Sequence, residues 1–144
     1  MIVKLIEPYT PEEFKAYFNA RWEFLRKPQG FPKGSEIDNF ENISIHLMAV
    51  EKKEILGVGR LTYFNNGEGQ IRYMGVHELH RNKFVGRKIL EYLENEAKNL
   101  ELTLIYLNAR EGALTFYQNN GFKSVGKPFK GFADVVHFRM EKKL

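Results

Sequence analysis

The sequence predicts one α+β domain in which a central mixed, mostly antiparallel sheet of about seven strands is flanked by helices. Three observations lead to this fold class. The length of 144 residues is that of one ordinary domain. Short alternating apolar runs separated by turn signals fill the first half, and strand-like and helix-like segments alternate in the second. Hydrophobic residues make up 43% of the chain, which is enough to bury a core.

The composition excludes several classes of protein and site. Without cysteine the chain has no disulfide framework, no thiolate metal ligand and no cysteine nucleophile. No cluster of His, Asp and Glu has ligand spacing, so we expect no metal. No apolar run reaches the roughly 20 residues of a membrane helix, and the amino terminus lacks signal-peptide features, so we expect a cytoplasmic protein with no membrane partner.

The first elements follow from local patterns. Residues 2–6 alternate weakly and predict a short first strand. Thr10 is a typical helix cap, with Pro11 in the first turn and Glu13 placed to complete a capping box. Pro28 ends this helix, and the loop that follows, to about residue 43, is long enough to border a binding site. We expect four apolar residues at helical spacing to face the core: Phe14, Phe18, Trp22 and Leu25.

Three strands come next, and we expect them to be antiparallel. Residues 45–49 and 55–63 form two strands joined by a turn at 52–54. The sequence Asn-Asn-Gly-Glu-Gly at 65–69 is a hairpin signal and leads into a fourth strand at 70–76.

The pattern then changes to strand, helix, strand. Apolar residues recur every three or four positions over residues 85–100, which predicts a helix with one buried face. The apolar run 102–107 predicts a fifth strand, parallel to the fourth through a right-handed crossover. The remaining predicted elements are a short helix at 113–117 and strands at 122–125 and 133–140.

The segment between the fourth strand and the long second helix carries the clearest chemical signal. Arg81, Lys83, Arg87 and Lys88 fall within eight residues, and Gly86 lies in the first turn of the helix. The free N–H groups and the dipole of a helix start favour an anion. The segment is therefore either a phosphate or pyrophosphate site or an ordinary exposed basic helix start.

This segment resembles the pyrophosphate-binding signature of the GCN5-related N-acetyltransferase (GNAT) family: Gln or Arg, two variable residues, Gly, one variable residue, then Gly or Ala. The matching residues are Arg81, Asn82, Lys83, Phe84, Val85 and Gly86. The family's run Ala-x-x-x-Tyr-x-x-x-Gly-Phe is matched by Ala113, Tyr117, Gly121 and Phe122. The resemblance is good over residues 45–122 and implies a single N-acetyltransferase domain over residues 1–144.

The resemblance implies a sheet splayed between strands 4 and 5 and acetyl-coenzyme A as the cosubstrate. It also implies direct transfer of the acetyl group from the thioester to a primary amine of a small molecule or a protein. Tyr117 matches the family's tyrosine that protonates the departing sulfur. The implied cofactor-binding residues are Met74, Gly75, Val76, Arg81, Asn82, Lys83, Phe84, Val85, Gly86, Arg87 and Asn108.

Two positions depart from the family pattern. Phe84 stands where the family usually has its first glycine, which we expect to be tolerated if the φ angle at this position is negative. Arg110 stands where the family often has an asparagine that contacts the pantetheine arm. Asn108, two residues earlier, is the expected substitute.

The sequence leaves the general base open. Gln70 and Arg72 lie on the fourth strand, where some relatives carry a glutamate, so that option is missing. The candidates are Glu23, Asp38, His46, Glu111, Asp134 and His137, with an ordered water relay as an alternative. Arg21 and Arg26 on the first helix could recognise an acidic acceptor, but a solvated helix face is favoured over this reading.

Three functions are compatible with the sequence, and acetyl transfer leads. The second is a non-catalytic acyl-coenzyme-A sensor or interaction module of the same fold. The third is a nucleic-acid binder, suggested by the net charge of +4. Because the basic residues gather at one helix start, we expect no nucleic-acid partner. A homodimer is the expectation from base rates for soluble enzymes.

Overall fold

A computed structural model describes residues 2–81 and 84–144. The elements are β1 (Lys4–Ile6), α1 (Pro11–Leu25), β2 (Ser44–Glu51), β3 (Glu54–Tyr63), β4 (Glu68–Val76), α2 (Val85–Asn99), β5 (Leu104–Arg110), α3 (Leu114–Asn119), β6 (Lys123–Ser124), β7 (Phe129–Lys130) and β8 (Val136–Lys143). The predicted fold class is confirmed. The sheet has eight strands because β7 also pairs with β8; its two residues are too few to show a period in the sequence.

The strands lie in the order β1-β2-β3-β4-β5-β8-β6, with β7 on β8. Every pair is antiparallel except β4 and β5, which are parallel. These two strands pair only through residues 68–70 and 104–106. The sheet is therefore splayed between strands 4 and 5, as expected, and the gap opens between residues 71–76 and 107–110.

Helix α1 begins at the predicted capping box. The Glu13 N–H donates to Thr10 Oγ1 at 3.1 Å, and the Thr10 N–H donates to the Glu13 carboxylate at 2.9 Å. Hydrogen bonds from the backbone N–H groups of Thr10 and Tyr9 hold the pKa of Glu13 below its usual value. The start of α1 was thus predictable to the residue.

The face of α1 that contacts the sheet is partly the expected one, because Phe14 and Phe18 pack against the core cluster there. The residues buried most deeply are others, namely Tyr17, Ala20 and Arg21. Tyr17 has polar partners beneath it, the His46 ring and the Gly59 carbonyl oxygen. Trp22 lies at the edge of the helix and donates its indole N–H to the Phe31 carbonyl at 2.9 Å.

Helices α1 and α2 cover opposite faces of the sheet. Successive residues of a strand point to opposite faces. Val58 packs against Tyr17 of α1, whereas its neighbours Gly57 and Gly59 face Ile89 of α2. We name the two sides of the sheet the α1 face and the α2 face. None of the described helices is long and apolar enough to cross a membrane.

Glycine at position 59 allows α2 to pack close to the sheet. A Cβ atom at Gly59 would lie 2.7 Å from Ile89 Cγ2. We expect Gly59→Ala to lower the free energy of unfolding by about 1–3 kcal/mol, the usual cost of overpacking. Urea unfolding measures this change. Gly112→Ala is the control, because a Cβ atom there meets nothing within 4 Å; equal effects of the two substitutions would contradict the packing explanation.

Candidate active site

A cleft of 1230 Å³ lies where β4 and β5 separate. On the α2 face it is lined by Met74 and Tyr117, which also pack against the core beneath α2. On the α1 face it is lined by Leu25 and Arg26 at the end of α1 and by Tyr73. The cleft therefore passes through the sheet and is accessible from both faces.

A β-bulge in β4 shapes the wall of this cleft. The register between β3 and β4 shifts between Val58 and Arg60. As a result, two residues of β4, Tyr73 and Met74, stand opposite one residue of β3, Gly59. Tyr73 has a φ angle of +54°, in the left-handed region. Because of the extra residue, Arg72 and Tyr73 lie on the same face although they are neighbours in the chain.

The structure brings most of the predicted cofactor residues to this cleft. Val85 is fully buried in the core instead. Asn82 and Lys83 lie outside the described residues. The predicted residues that line the cleft are Met74, Gly75, Val76, Arg81, Phe84, Gly86, Arg87 and Asn108.

The condition set for tolerance of Phe84, a negative φ angle, is not met. Its φ and ψ angles are +60° and +18°, the left-handed conformation that explains why a glycine suits this position. A side chain in this conformation costs roughly 1–2 kcal/mol. The Phe84 side chain is 69% exposed, so it stands at the rim of the cleft instead of filling it.

The start of α2 is the basic end of the cleft. No side chain of the described residues caps the first N–H groups of this helix, and Arg81 and Arg87 line the cleft beside it. Among the described residues the whole lining includes five arginines and neither aspartate nor glutamate. This end of the cleft therefore has the donors and the positive charge that an anionic group requires.

Tyr117 lies on α3 at the α2-face side of the cleft. Its ring packs edge-on against Phe116 and Phe122. Its hydroxyl makes no hydrogen bond within the part of the chain that the structure describes. Burial raises the pKa of Tyr117 to about 12, so the phenol remains protonated at neutral pH. Gly121, with a φ angle of +92°, closes the turn after α3, as the sequence pattern predicts.

Of the six side chains named as candidate bases, His137 is the one that lines the cleft. Its Nδ1 lies 2.7 Å from the carbonyl oxygen of Val135. Because a carbonyl oxygen only accepts, Nδ1 carries a proton, and in the neutral ring Nε2 carries the lone pair. The described residues contain no group of three or more side chains that could hold a metal ion.

His46 is a core residue. Its Nδ1 lies 3.0 Å from the Tyr17 hydroxyl and its Nε2 lies 2.8 Å from the Glu41 carbonyl oxygen. Burial holds the pKa of His46 below its usual value, so the neutral ring is favoured. Both ring nitrogens are occupied by the protein, which leaves none for a substrate.

The expectation of a solvated face around Arg21 and Arg26 is wrong, because both side chains are buried. Arg21 donates to a Glu41 carboxylate oxygen at 2.8 Å. Arg60 donates to both oxygens of Asp38, at 2.7 and 2.9 Å. The long loop after α1 thus supplies the carboxylates that let arginines be buried on the α1 face.

Four arginines surround the ring of Tyr73 at this bulge. The guanidinium carbons of Arg21, Arg26, Arg60 and Arg72 lie 4.3, 5.3, 5.0 and 4.8 Å from the ring centroid. Distances within about 6 Å are those of cation–π contacts. Because the four arginines come from different strands, a helix and its end, no periodic pattern in the sequence predicts this cluster.

The splayed sheet and the basic helix start are the features that the resemblance to the GNAT family implies. The model of the acetyltransferase (GNAT) domain family matches residues 9–144. The chain belongs to this family and is an acyltransferase.

Similar proteins cover the whole chain. YjcF of Bacillus subtilis (strain 168), an uncharacterized N-acetyltransferase, is 29% identical over 140 residues, which are 97% of this chain and 99% of the relative. An acyl-CoA N-acyltransferase from Pseudomonas aeruginosa has a TM-score of 0.83 at 24% identity over 98% of both chains. The PaiA N-acetyltransferase from Thermoplasma acidophilum, in complex with coenzyme A, has a TM-score of 0.76 at 16% identity over 100% of both chains. The two structures show likeness of fold alone.

Proposed function

We propose that this protein transfers an acetyl group from acetyl-coenzyme A directly to a primary amine. The observation that carries the proposal is the cleft through the splayed sheet. It joins a basic helix start to a separate space on the α1 face. Acetyl-coenzyme A supplies the acetyl thioester, and the family uses it as a donor.

The residues at the α2 end of the cleft fit the diphosphate of this donor. The N–H groups at Gly86 and Arg87 and the guanidinium groups of Arg81 and Arg87 provide hydrogen bonds and charge. A Cβ atom at Gly86 would lie 3.3 Å from Phe116 Cζ, so a small residue keeps this end open. The edge of β4 that faces β5 has no partner strand over residues 71–76, which leaves backbone groups for the amides of the pantetheine arm.

The residues of the cleft can move the two protons that the reaction requires. As the amine nitrogen bonds to the acetyl carbon, the carbon–sulfur bond breaks and the sulfur gains a proton. Tyr117 is protonated and lines the cleft, so it donates this proton and is reprotonated from solvent. His137 Nε2 accepts the proton that the nitrogen loses, directly or through water. Since the chain has no cysteine, no acetyl-cysteine forms.

Calorimetric titration with acetyl-coenzyme A tests the donor site. We expect one-site binding, and we expect Arg87→Ala to weaken it by about tenfold to a hundredfold, the usual effect of losing a charged hydrogen bond. Lys88→Ala is the control, because Lys88 is exposed on the same helix and does not line the cleft. If both substitutions weakened the binding of acetyl-coenzyme A equally, the effect would come from the total positive charge of the helix and not from a contact with Arg87. Failure of the unmodified protein to bind acetyl-coenzyme A would overturn the proposed function.

A further inference from the structure

The α1-face half of the cleft, here called the acceptor chamber, is rich in arginine. We define it by six lining residues: Arg26, Arg72, Tyr73, Arg110, Phe132 and His137. Arg26 comes from the end of α1, and its guanidinium carbon lies 4.0 Å from the Phe132 ring centroid. The chamber is thus enclosed by α1, by the bulge in β4 and by the segment before β8.

The register of the sheet assigns Arg110 and His137 to the same face as Arg26. Leu107 and Ala109 of β5 belong to the core on the α2 face, so Arg110 points to the α1 face. Arg110 stands directly opposite His137 of β8. Opposed residues of antiparallel strands project from the same face, which brings a guanidinium group and an imidazole together at the chamber.

The positive charge of this region exceeds its negative charge. Three arginines form ion pairs with only two carboxylates. Glu41 pairs with Arg21 and Arg60, and Asp38 pairs with Arg60 and Arg72. The side chains of Arg26 and Arg110 form no ion pair with any residue in 2–81 or 84–144. A third acid of this region, Glu36, is buried, accepts the Gly34 N–H and forms no ion pair with described residues.

The cations of the chamber are close enough to affect one another. Burial, together with the charges of Arg72 and Arg110, holds the pKa of Arg26 below its usual value, although Tyr73 acts in the opposite sense. An anion bound among these groups would relieve their repulsion. Guanidinium groups bind carboxylate and phosphate oxygens in a bidentate manner, which gives orientation as well as charge.

We propose that the acceptor is a small amine that carries an oxyanion, a carboxylate or a phosphate, which Arg26, Arg72 and Arg110 bind. This inference rests on the proposed function, because it names the substrate class of the same cleft. The arginines also disfavour a cationic acceptor and favour the neutral form of the amine, which is the form that attacks the thioester. His137 lies beside Arg110 to receive the remaining proton.

Matched amines test this proposal. The kcat/KM for β-alanine, which carries a carboxylate, and for phosphoethanolamine, which carries a phosphate, is compared with that for neutral β-alaninamide and cationic cadaverine. We expect kcat/KM for one of the two anionic amines to exceed kcat/KM for β-alaninamide and for cadaverine by about tenfold to a hundredfold. This is the usual contribution of charged hydrogen bonds. The anionic amine that is preferred then identifies the oxyanion.

A substitution at Arg110 links the preference to the chamber. Arg110 is exposed and its side chain has no partner among the described residues, so Arg110→Gln should fold normally. We expect this variant to lose most of the anionic preference, because its kcat/KM should fall much further for the preferred anionic amine than for β-alaninamide. Arg139→Gln is the control, because Arg139 lies on the same face of β8 and does not line the cleft.

The outcomes separate the two proposals. Turnover that is equal for anionic and neutral amines, or a preference that survives Arg110→Gln, overturns the anionic-acceptor inference and leaves the proposed function standing. If no amine is turned over, binding of β-alanine and phosphoethanolamine to the protein is measured by calorimetry. Binding that Arg110→Gln abolishes would support the anion site and contradict acetyl transfer to these amines. If β-alanine and phosphoethanolamine bound no more tightly than β-alaninamide, the proposed anion site would be wrong.

Discussion

Replacement of Tyr117 by phenylalanine is expected to lower kcat by about 10²–10⁴-fold, the usual contribution of a positioned acid. The phenol of Tyr117 lines the cleft and stays protonated because burial raises its pKa to about 12. Without it the thiolate must leave with no proton donor from α3. The ring keeps its packing against Phe116 and Phe122, so the fold is preserved. Steady-state kinetics with saturating acetyl-coenzyme A measures the change.

The affinity for acetyl-coenzyme A should change little in this variant, because in the proposed mechanism the hydroxyl protonates the sulfur only as the carbon–sulfur bond breaks. Tyr106→Phe is the matched control, since Tyr106 lies on β5 outside the cleft and should keep normal kcat. Full kcat in Tyr117→Phe would show that Tyr117 is only a core aromatic. If the unmodified protein bound acetyl-coenzyme A tightly but turned over no amine, it would instead be the non-catalytic sensor.

Replacement of Asp38 by asparagine is expected to lower the free energy of unfolding by about 3 kcal/mol. Asp38 accepts hydrogen bonds from the two terminal nitrogens of the Arg60 guanidinium group, a side chain only 1% exposed, and also contacts Arg72. Asparagine has nearly the same shape but no charge, so Arg60 would keep Glu41 as its only anionic partner among the described residues. Urea unfolding at neutral pH gives the measurement.

Glu91→Gln provides the comparison, because it breaks an ion pair with Arg87 in which both side chains are well exposed. Exposed pairs are worth about 0–1 kcal/mol, so a loss as large as that of Asp38→Asn would rule out burial as the cause. Burial alone would raise the pKa of Asp38, but hydrogen bonds and charge from Arg60 hold it below its usual value. The unmodified protein therefore loses this stability only as the pH falls below about 3.9, and the asparagine variant should lack that acid step.

Local signals predicted the architecture, because each of them depends on few residues. The capping box at Thr10, the hairpin at 65–69 and the single-faced pattern of α2 need only neighbouring residues, and the structure has all three. The left-handed conformation of Phe84 was not predictable from its own side chain, which normally avoids that region.

The acceptor chamber and the buried arginines could not be found in this way. The burial of Arg21 depends on Glu41, 20 residues later, and that of Arg60 depends on Asp38, 22 residues earlier. Ion pairs between residues so far apart produce no periodic pattern in the sequence. An arginine on a helix is also usually exposed to solvent. The bulge at Tyr73, which moves two consecutive residues to one face, also breaks the alternation on which strand predictions rest.

The passage of the cleft through the sheet has a consequence for how specificity can evolve in this protein. The basic end is formed by one continuous region, from β4 to the start of α2. The opposite end combines the end of α1, two residues of β5, the start of β8 and the segment that leads into it. Only β4 is common to both. Under the proposed function, substitutions in the first helix or before the last strand can therefore change the choice of amine while the residues proposed to bind the donor stay the same.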